Sequence, residues 1–213
     1  MKLLAGRPLL AYAIDAAKQS GVFSDLYVAS DDSAALHFAY AHADVSRVLK
    51  RNPVADDQPD IDWVREVLHA NDWDAFAILR PTSPFRTADT IKRAFIQFRR
   101  TPDVDSMRAV EPAKQHPGKM WQWSGAGYPM TPIIGATRED GTPWHSSPTQ
   151  SLPTYYVQNS SLEMAWTRTV TQLKSIAGRK VLPFFTEGDE GFSIDYPEDW
   201  ERAEQIAGRY AHV

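Results

Sequence analysis

Two short runs gather side chains able to handle an anionic substrate. The first, Arg80-Pro81-Thr82-Ser83-Pro84-Phe85-Arg86, sets two guanidiniums and two hydroxyls on a loop that two prolines stiffen. Such groups suit carboxylate or phosphate oxygens, which arginine can grip bidentately. The alternative is a proline-fixed turn from strand to helix whose arginines face water. The second run is Gly191-Phe192-Ser193-Ile194-Asp195-Tyr196-Pro197-Glu198-Asp199-Trp200. Here a strand-like apolar stretch ends at Asp195 and Pro197 opens a helix. A carboxylate at that strand end could hold Mg2+, a hard cation satisfied by one or two carboxylates, substrate phosphates and water. Alternatively Asp195 caps the helix, and Glu198 and Asp199 offset its dipole.

Other chemistries find no footing. The six His are scattered without a His-Glu-x-x-His, and only His116, in a proline-flanked loop, stands apart. Neither a Gly-x-Ser-x-Gly elbow nor a Walker loop is present. With no Cys, disulfides, thiolate zinc sites and cysteine nucleophiles are excluded. Against 27 Asp+Glu stand 23 Lys+Arg, a net charge of -4 that argues against a nucleic-acid partner held by phosphate contacts. No apolar run reaches the ~18 residues of a membrane span, and 1–4 meets Arg7 and Pro8 too soon for a secretory leader. A cytoplasmic protein is the expectation.

The elements that must position these runs alternate. Leu10, Ala13, Ile14 and Ala17 predict a helix over 8–20, closed by Gly21. A strand over 26–30 follows, then a helix over 32–42 and a short strand at 47–49. Beyond the loop 50–59, Ile61, Val64 and Leu68 mark one helical face. Residues 75–79 (AFAIL) are apolar throughout, as for a strand covered on both faces. Thr87 can cap a helix whose inner face is Ile91, Ala94, Phe95 and Phe98. A strand at 105–110 completes this half. Such alternation predicts an α/β fold with a mostly parallel sheet flanked by helices, in which ligands bind beyond the carboxyl ends of strands. Residues 111–165 break the pattern with dense Pro, Gly and Trp, and read as an inserted β-rich arm within a single domain over 1–213. Its Met120, Trp121, Trp123 and Trp144 form either a local core or the apolar centre of a subunit contact in a homodimer. A strand over 180–185 and a helix with Trp200, Ala203, Ala207 and Tyr210 on one face close the chain.

These motifs resemble the acylneuraminate cytidylyltransferase family, the CMP-sialic acid synthetases and their bacterial relatives. Residues 79–87 match its Pro-Thr-Ser-Pro-Leu-Arg signature; 2–12 resemble its first helix and approach, and 28–32 its second strand end. Residues 51–57 with Asp60 are similar to its nucleotide loop, His116-Pro117 to its His-Pro step, Asn159 to its Asn-Gly turn, and 193–195 to its Asp-Ile-Asp metal motif. The resemblance implies a nucleotidyltransferase of Rossmann-like fold that joins CTP to a sialic-acid-like nonulosonic acid and uses Mg2+. By that resemblance Arg51, Asp57 and Asp60 lie on the nucleotide side, and Arg80, Thr82, Ser83, Arg86, Gln158 and Asn159 face the sugar acid. Asp195 anchors the metal.

Departures accompany the likeness. Ser193 replaces the first metal carboxylate, Arg80 a Gln, Val157 an Arg and Ser160 a Gly. The family opens with a strand and a Gly/Ser-rich loop that wraps the triphosphate, and Met1 falls after that element. The expectation is therefore a first strand missing from the sheet, either through a late start or through loss of activity. A non-catalytic, sugar- or nucleotide-binding dimer is the rival reading. A CMP-ketodeoxyoctonate synthetase is disfavoured, because the loop after 75–79 lacks Gln-Gly-Asp.

Overall fold

The computed structural model describes residues 2–42, 45–51 and 59–210. The elements, in order, are β1 (Leu3–Leu4), β2 (Arg7–Pro8), α1 (Leu9–Ser20), β3 (Tyr27–Ser30), α2 (Ser33–Ala41), β4 (Arg47–Lys50), α3 (Ile61–His69), β5 (Ala75–Ile78) and α4 (Ala88–Arg99). They continue with β6 (Ser106–Pro112), β7 (Trp121–Gln122), β8 (Thr131–Pro132), β9 (Tyr156–Trp166), α5 (Thr167–Thr171), β10 (Val181–Phe185) and α6 (Pro197–Tyr210). The chain forms two compact units, a body of Met1–Ala109 with Asn159–Val213 and an arm of Val110–Gln158. The arm closes before residue 165 because most of β9 already runs in the body.

The expected α/β architecture is present, with a mixed sheet. Four strands lie in the order β10-β6-β9-β5, and β3 pairs with β4 in parallel. β9 runs antiparallel to β5, with Ala75 opposite Trp166 and Ile78 opposite Glu163. The antiparallel pairing of β9 is what makes the sheet mixed: strands joined without a crossover helix need not run parallel.

Helix α4 shows how the core follows from pattern. Thr87 accepts from the Thr90 amide at 3.1 Å while the Thr90 hydroxyl accepts from the Thr87 amide, a reciprocal cap. Ile91, Ala94 and Phe98 are then buried against Met107 and Ala109 of β6, Leu162 and Met164 of β9 and Phe184 of β10. Phe98 stacks on Trp166 with ring centres 4.6 Å apart. A second cluster joins Leu4 and Phe85 to Ala203, Ile206 and Ala207 of α6.

β5 departs from expectation in one respect. Ala75, Phe76 and Ala77 are only half-buried, although their run is apolar throughout. The reason is a cavity of about 460 Å3 lined by consecutive residues of both β3 and β5, together with Leu10 and Ile14 of α1 and Val64 of α3. Among the described residues β3 pairs only with β4, and β5 only with β9. Each therefore turns one open edge to the cavity.

In the arm, His116 is buried and purely architectural. Its Nδ1 accepts from the Gly118 amide at 3.0 Å, and Nε2 lies 2.9 Å from the Pro153 carbonyl, to which it donates in that tautomer. No helix among the described residues is long and apolar enough to cross a membrane.

Candidate functional site

Beyond the end of β5 the chain enters the loop 80–86, where its two arginines part company. Arg86 is buried, donating to the Ser161 carbonyl and, at 3.4 Å, to the Arg80 carbonyl. Burial pushes its pKa down to about 10. This guanidinium braces the loop against β9, spending its donors on backbone. Ser83 is buried as well, its hydroxyl without a partner among the described residues.

Arg80 instead joins a chain of charges. Its Nη2 donates to Asp60 Oδ2 at 2.5 Å and to Glu163 Oε1 at 3.2 Å. The second Glu163 oxygen pairs with Nη1 of Arg108 on the neighbouring strand β6. The side chains are 38% exposed at Arg80, 9% at Glu163 and 11% at Arg108. Buried charges of this kind persist only when paired and hydrogen-bonded. At the other end Trp63 Nε1 donates to Asp60 Oδ1 at 2.8 Å, and the Arg51 guanidinium lies 5.8 Å from the Trp63 ring centre, within cation–π reach. Burial would raise the Asp60 carboxyl, but hydrogen bonds from Trp63 and Arg80 and the positive charges of Arg80 and Arg51 outweigh it and hold the group below the usual carboxylate range. Arg51, Asp60 and Arg80 also line the cavity, giving it one charged end.

The second run is tied to the first. The Ile194 amide donates to the Thr82 carbonyl at 2.9 Å, and the Ser193 hydroxyl lies 3.4 Å from that of Thr82. Residues 192–195 are irregular rather than a strand, held by this backbone bond and by the Phe192 amide donating to the Asp189 carbonyl at 3.0 Å. Asp195 is exposed and accepts from the Ser193 hydroxyl at 3.0 Å. Asp199 does the capping, receiving the amides of Asp195 and Tyr196 at 3.0 and 2.9 Å. The Asp195 carboxylate is thereby left at the surface next to Thr82. Among the described residues no group of three or more His, Cys, Asp or Glu could hold a metal. One exposed carboxylate fits a Mg2+ that draws its other ligands from phosphates and water.

The structure thus brings together Arg51, Asp60 and Arg80, and separately Thr82 and Asp195. Asn159 is taken up locally, donating to the Thr186 hydroxyl at 2.9 Å and accepting from the Ser161 amide at 3.2 Å. Gln158 is exposed at the end of the arm unit. Asp57 lies outside the described residues. Sequence reasoning missed Glu163 and Arg108. The signal was there: each is a lone charge inside an apolar strand, in SSLEMAW and SMRAV.

Comparison with known proteins places the chain among similar sequences and folds. The family model described as Cytidylyltransferase matches residues 1–117. The N-acylneuraminate cytidylyltransferase of Streptococcus agalactiae serotype III (strain NEM316) is 25% identical over 204 residues, 94% of this chain and 47% of that protein. The chain spans about half the length of such streptococcal relatives. The CMP-N,N'-diacetyllegionaminic acid synthase of Legionella pneumophila (strain Philadelphia 1) is 26% identical over 218 residues, 96% of this chain and 87% of the relative. Among solved structures, a CMP:2-keto-3-deoxy-manno-octonic acid synthetase complexed with CTP superposes with a TM-score of 0.63 at 11% identity, covering 98% of this chain and 91% of that one. The 4-diphosphocytidyl-2C-methyl-D-erythritol synthase of Anaerococcus prevotii gives 0.65 at 12%, covering 97% and 92%. These two likenesses speak for the fold.

Proposed function

Because the chain belongs to the cytidylyltransferase family, a family of nucleotidyltransferases, we propose that it transfers CMP from CTP to the anomeric hydroxyl of a sialic-acid-like nonulosonic acid. The sugar oxygen forms a bond to the α-phosphorus, the bond from that phosphorus to the bridging oxygen breaks, pyrophosphate leaves, and the hydroxyl proton passes to solvent. Such a reaction asks the protein chiefly to align oxygens and offset charge. The observation that carries the reading is the linked set Arg51, Asp60 and Arg80 beyond β5, in the body that also ties Thr82 to Ser193 and Ile194. Guanidiniums there can meet a carboxylate or phosphate oxygens.

In this reading Arg51, Asp57 and Asp60 serve the nucleotide, while Arg80, Thr82, Ser83, Arg86, Gln158 and Asn159 serve the sugar acid. Arg86 and Asn159 do so by fixing the loop and strand that carry the others. Asp195 would hold Mg2+, which when bound polarises the α-phosphate. The names of the streptococcal and Legionella relatives support a sugar acid as acceptor.

The cavity favours one refinement. Two open strand edges facing one apolar space suit an added strand, since neighbouring strands sit about 4.8 Å apart. The active form would then carry a further strand between β3 and β5, with the triphosphate-binding loop after it. A protein lacking both would bind sugar or nucleotide without turnover. The arm, with Trp123 and Met130 exposed, would provide the contact of a homodimer. Pyrophosphate release from CTP and Mg2+, read with and without sialic, legionaminic and pseudaminic acids, tests the assignment on the full gene product. Release that requires one of these acids is expected; release indifferent to them would sink the acceptor assignment.

A further inference from the structure

We infer that Arg108, held in place by Glu163, is the guanidinium that receives the acceptor's carboxylate; this rests on the proposed transfer to a sugar acid and names the residue that reads its acid group. Three arginines lie near enough to the loop 80–86 to be considered, and two are spoken for. Arg86 is buried on the carbonyls of Ser161 and Arg80. Arg80 sits between two carboxylates, Asp60 and Glu163, which offset its charge. Arg108 has a single protein partner among the described residues, Glu163, engaged through Nη1 alone. Of its five donors, most are left for a ligand. Its side chain is 11% exposed, and none of its nitrogens is among the buried, unpartnered atoms. Those donors therefore still meet solvent.

Charge balance points the same way. Among the described residues of this network, Arg51, Arg80 and Arg108 face Asp60 and Glu163, an excess of one positive charge that one incoming carboxylate would offset. Arg80 and Arg108 share Glu163, so their mutual repulsion is offset by one carboxylate where two would serve better. Burial, and then the positive charge of Arg80, lower the Arg108 pKa against the opposing pull of Asp60. Glu163 is a positioning residue in this account. It aims Arg108 from the adjacent strand, its two carboxylate oxygens engaged by Arg80 and Arg108.

The test is calorimetric titration of the full gene product with N-acetylneuraminate, its methyl ester and CTP, alongside the arginine Nε–Hε signals in NMR spectra. Arg108→Gln should weaken binding of the acid about 10-fold or more, the scale of a lost charge-assisted hydrogen bond, while CTP affinity holds within about 2-fold. The ester should bind wild type as weakly as the acid binds R108Q. Glu163→Gln should narrow the acid-to-ester preference, which a purely structural role would not move. If R108Q fails to fold because Glu163 is left unpaired, the double variant R108M/E163Q removes both charges and should show the same loss. Undiminished acid binding by R108Q or the double variant would overturn the assignment and leave the transferase reading intact. If wild type binds no sugar acid, excess pyruvate decides. Movement of the Arg108 signal would uphold the carboxylate site and reject the acceptor; no movement would reject both.

Discussion

The body and the arm distribute the same kinds of residue in opposite ways. The body packs a core in which Phe98, Ile91, Leu162 and Ile206 are essentially inaccessible, and it ties its buried charges either to each other, as Glu163 and Arg108, or to backbone carbonyls, as Arg86. The arm leaves Trp123, Tyr128, Met130 and Ile133 exposed and buries the polar ring of His116 on backbone groups. A unit that packs its own aromatics can hold a charged site in fixed geometry. One that displays them has apolar surface to give to another molecule. The difference fits the proposal that chemistry belongs to the body and contact to the arm.

Truncation should separate the two most sharply. Phe98→Ala removes a ring packed against β6, β9 and β10 and should cost about 3–5 kcal/mol in urea denaturation, whereas an equal truncation at Trp123 should cost less than about 0.5 kcal/mol. Comparable losses would erase the contrast. Next in size is Gly178→Ala in the body. Gly178 has φ +70°, and an added Cβ would meet the Asp105 Cβ at 2.3 Å, so a loss above about 1 kcal/mol is expected by the same measurement. Asp105 cannot easily yield, because its carboxylate receives the Arg179 and Lys180 amides at 2.7 and 2.9 Å.

Acid should weaken the body more gradually. Burial would raise the Glu190 carboxyl, but hydrogen bonds from Arg93, Thr90 and the Glu187 amide hold it below its usual value, as Asp60 is held. For a carboxyl lowered on folding, the unfolded chain binds more protons through that window. The stabilisation is fully present above the ordinary carboxylate pKa of about 4 and is lost as pH falls through the folded values. Urea midpoints should be level near neutrality and fall below about pH 4, and Glu190→Gln should flatten that decline; an unchanged slope would count against these pairs. The smallest effect on stability belongs to the arm. Trp123→Ser should leave the urea midpoint almost unmoved while shifting a dimeric mass to a monomeric one in sedimentation, and an unshifted mass would remove the arm from the interface.

How much was legible depended on whether a local pattern decided the outcome. Helix α4 was readable because Thr87 and the Ile91, Ala94, Phe98 spacing are sufficient for a capped amphipathic helix. The position of the loop 80–86 after a buried-looking strand was readable for the same reason. What its two arginines do was not, because their burial depends on where β9 passes, and β9 returns from the arm with no crossover helix to fix its direction. Glu163 and Arg108 needed tertiary knowledge too: a lone charge in an apolar strand announces a partner without naming it. The half-burial of β5 could not be read from AFAIL, since composition does not say which of a strand's edges is paired. Of the two readings offered for Asp195, the helix cap falls instead to Asp199.

The central claim is that cytidylyl transfer to a sugar acid takes place in the body, and phosphorus NMR of a reaction with CTP, Mg2+ and the nonulosonic acid panel reads it directly. The full gene product should convert the three CTP signals into one phosphodiester and one pyrophosphate in equal amounts, with Asp195→Asn slowing the conversion at unchanged Tm. Persistence of intact CTP with every acid, or its conversion to free CMP with no phosphodiester, would contradict it.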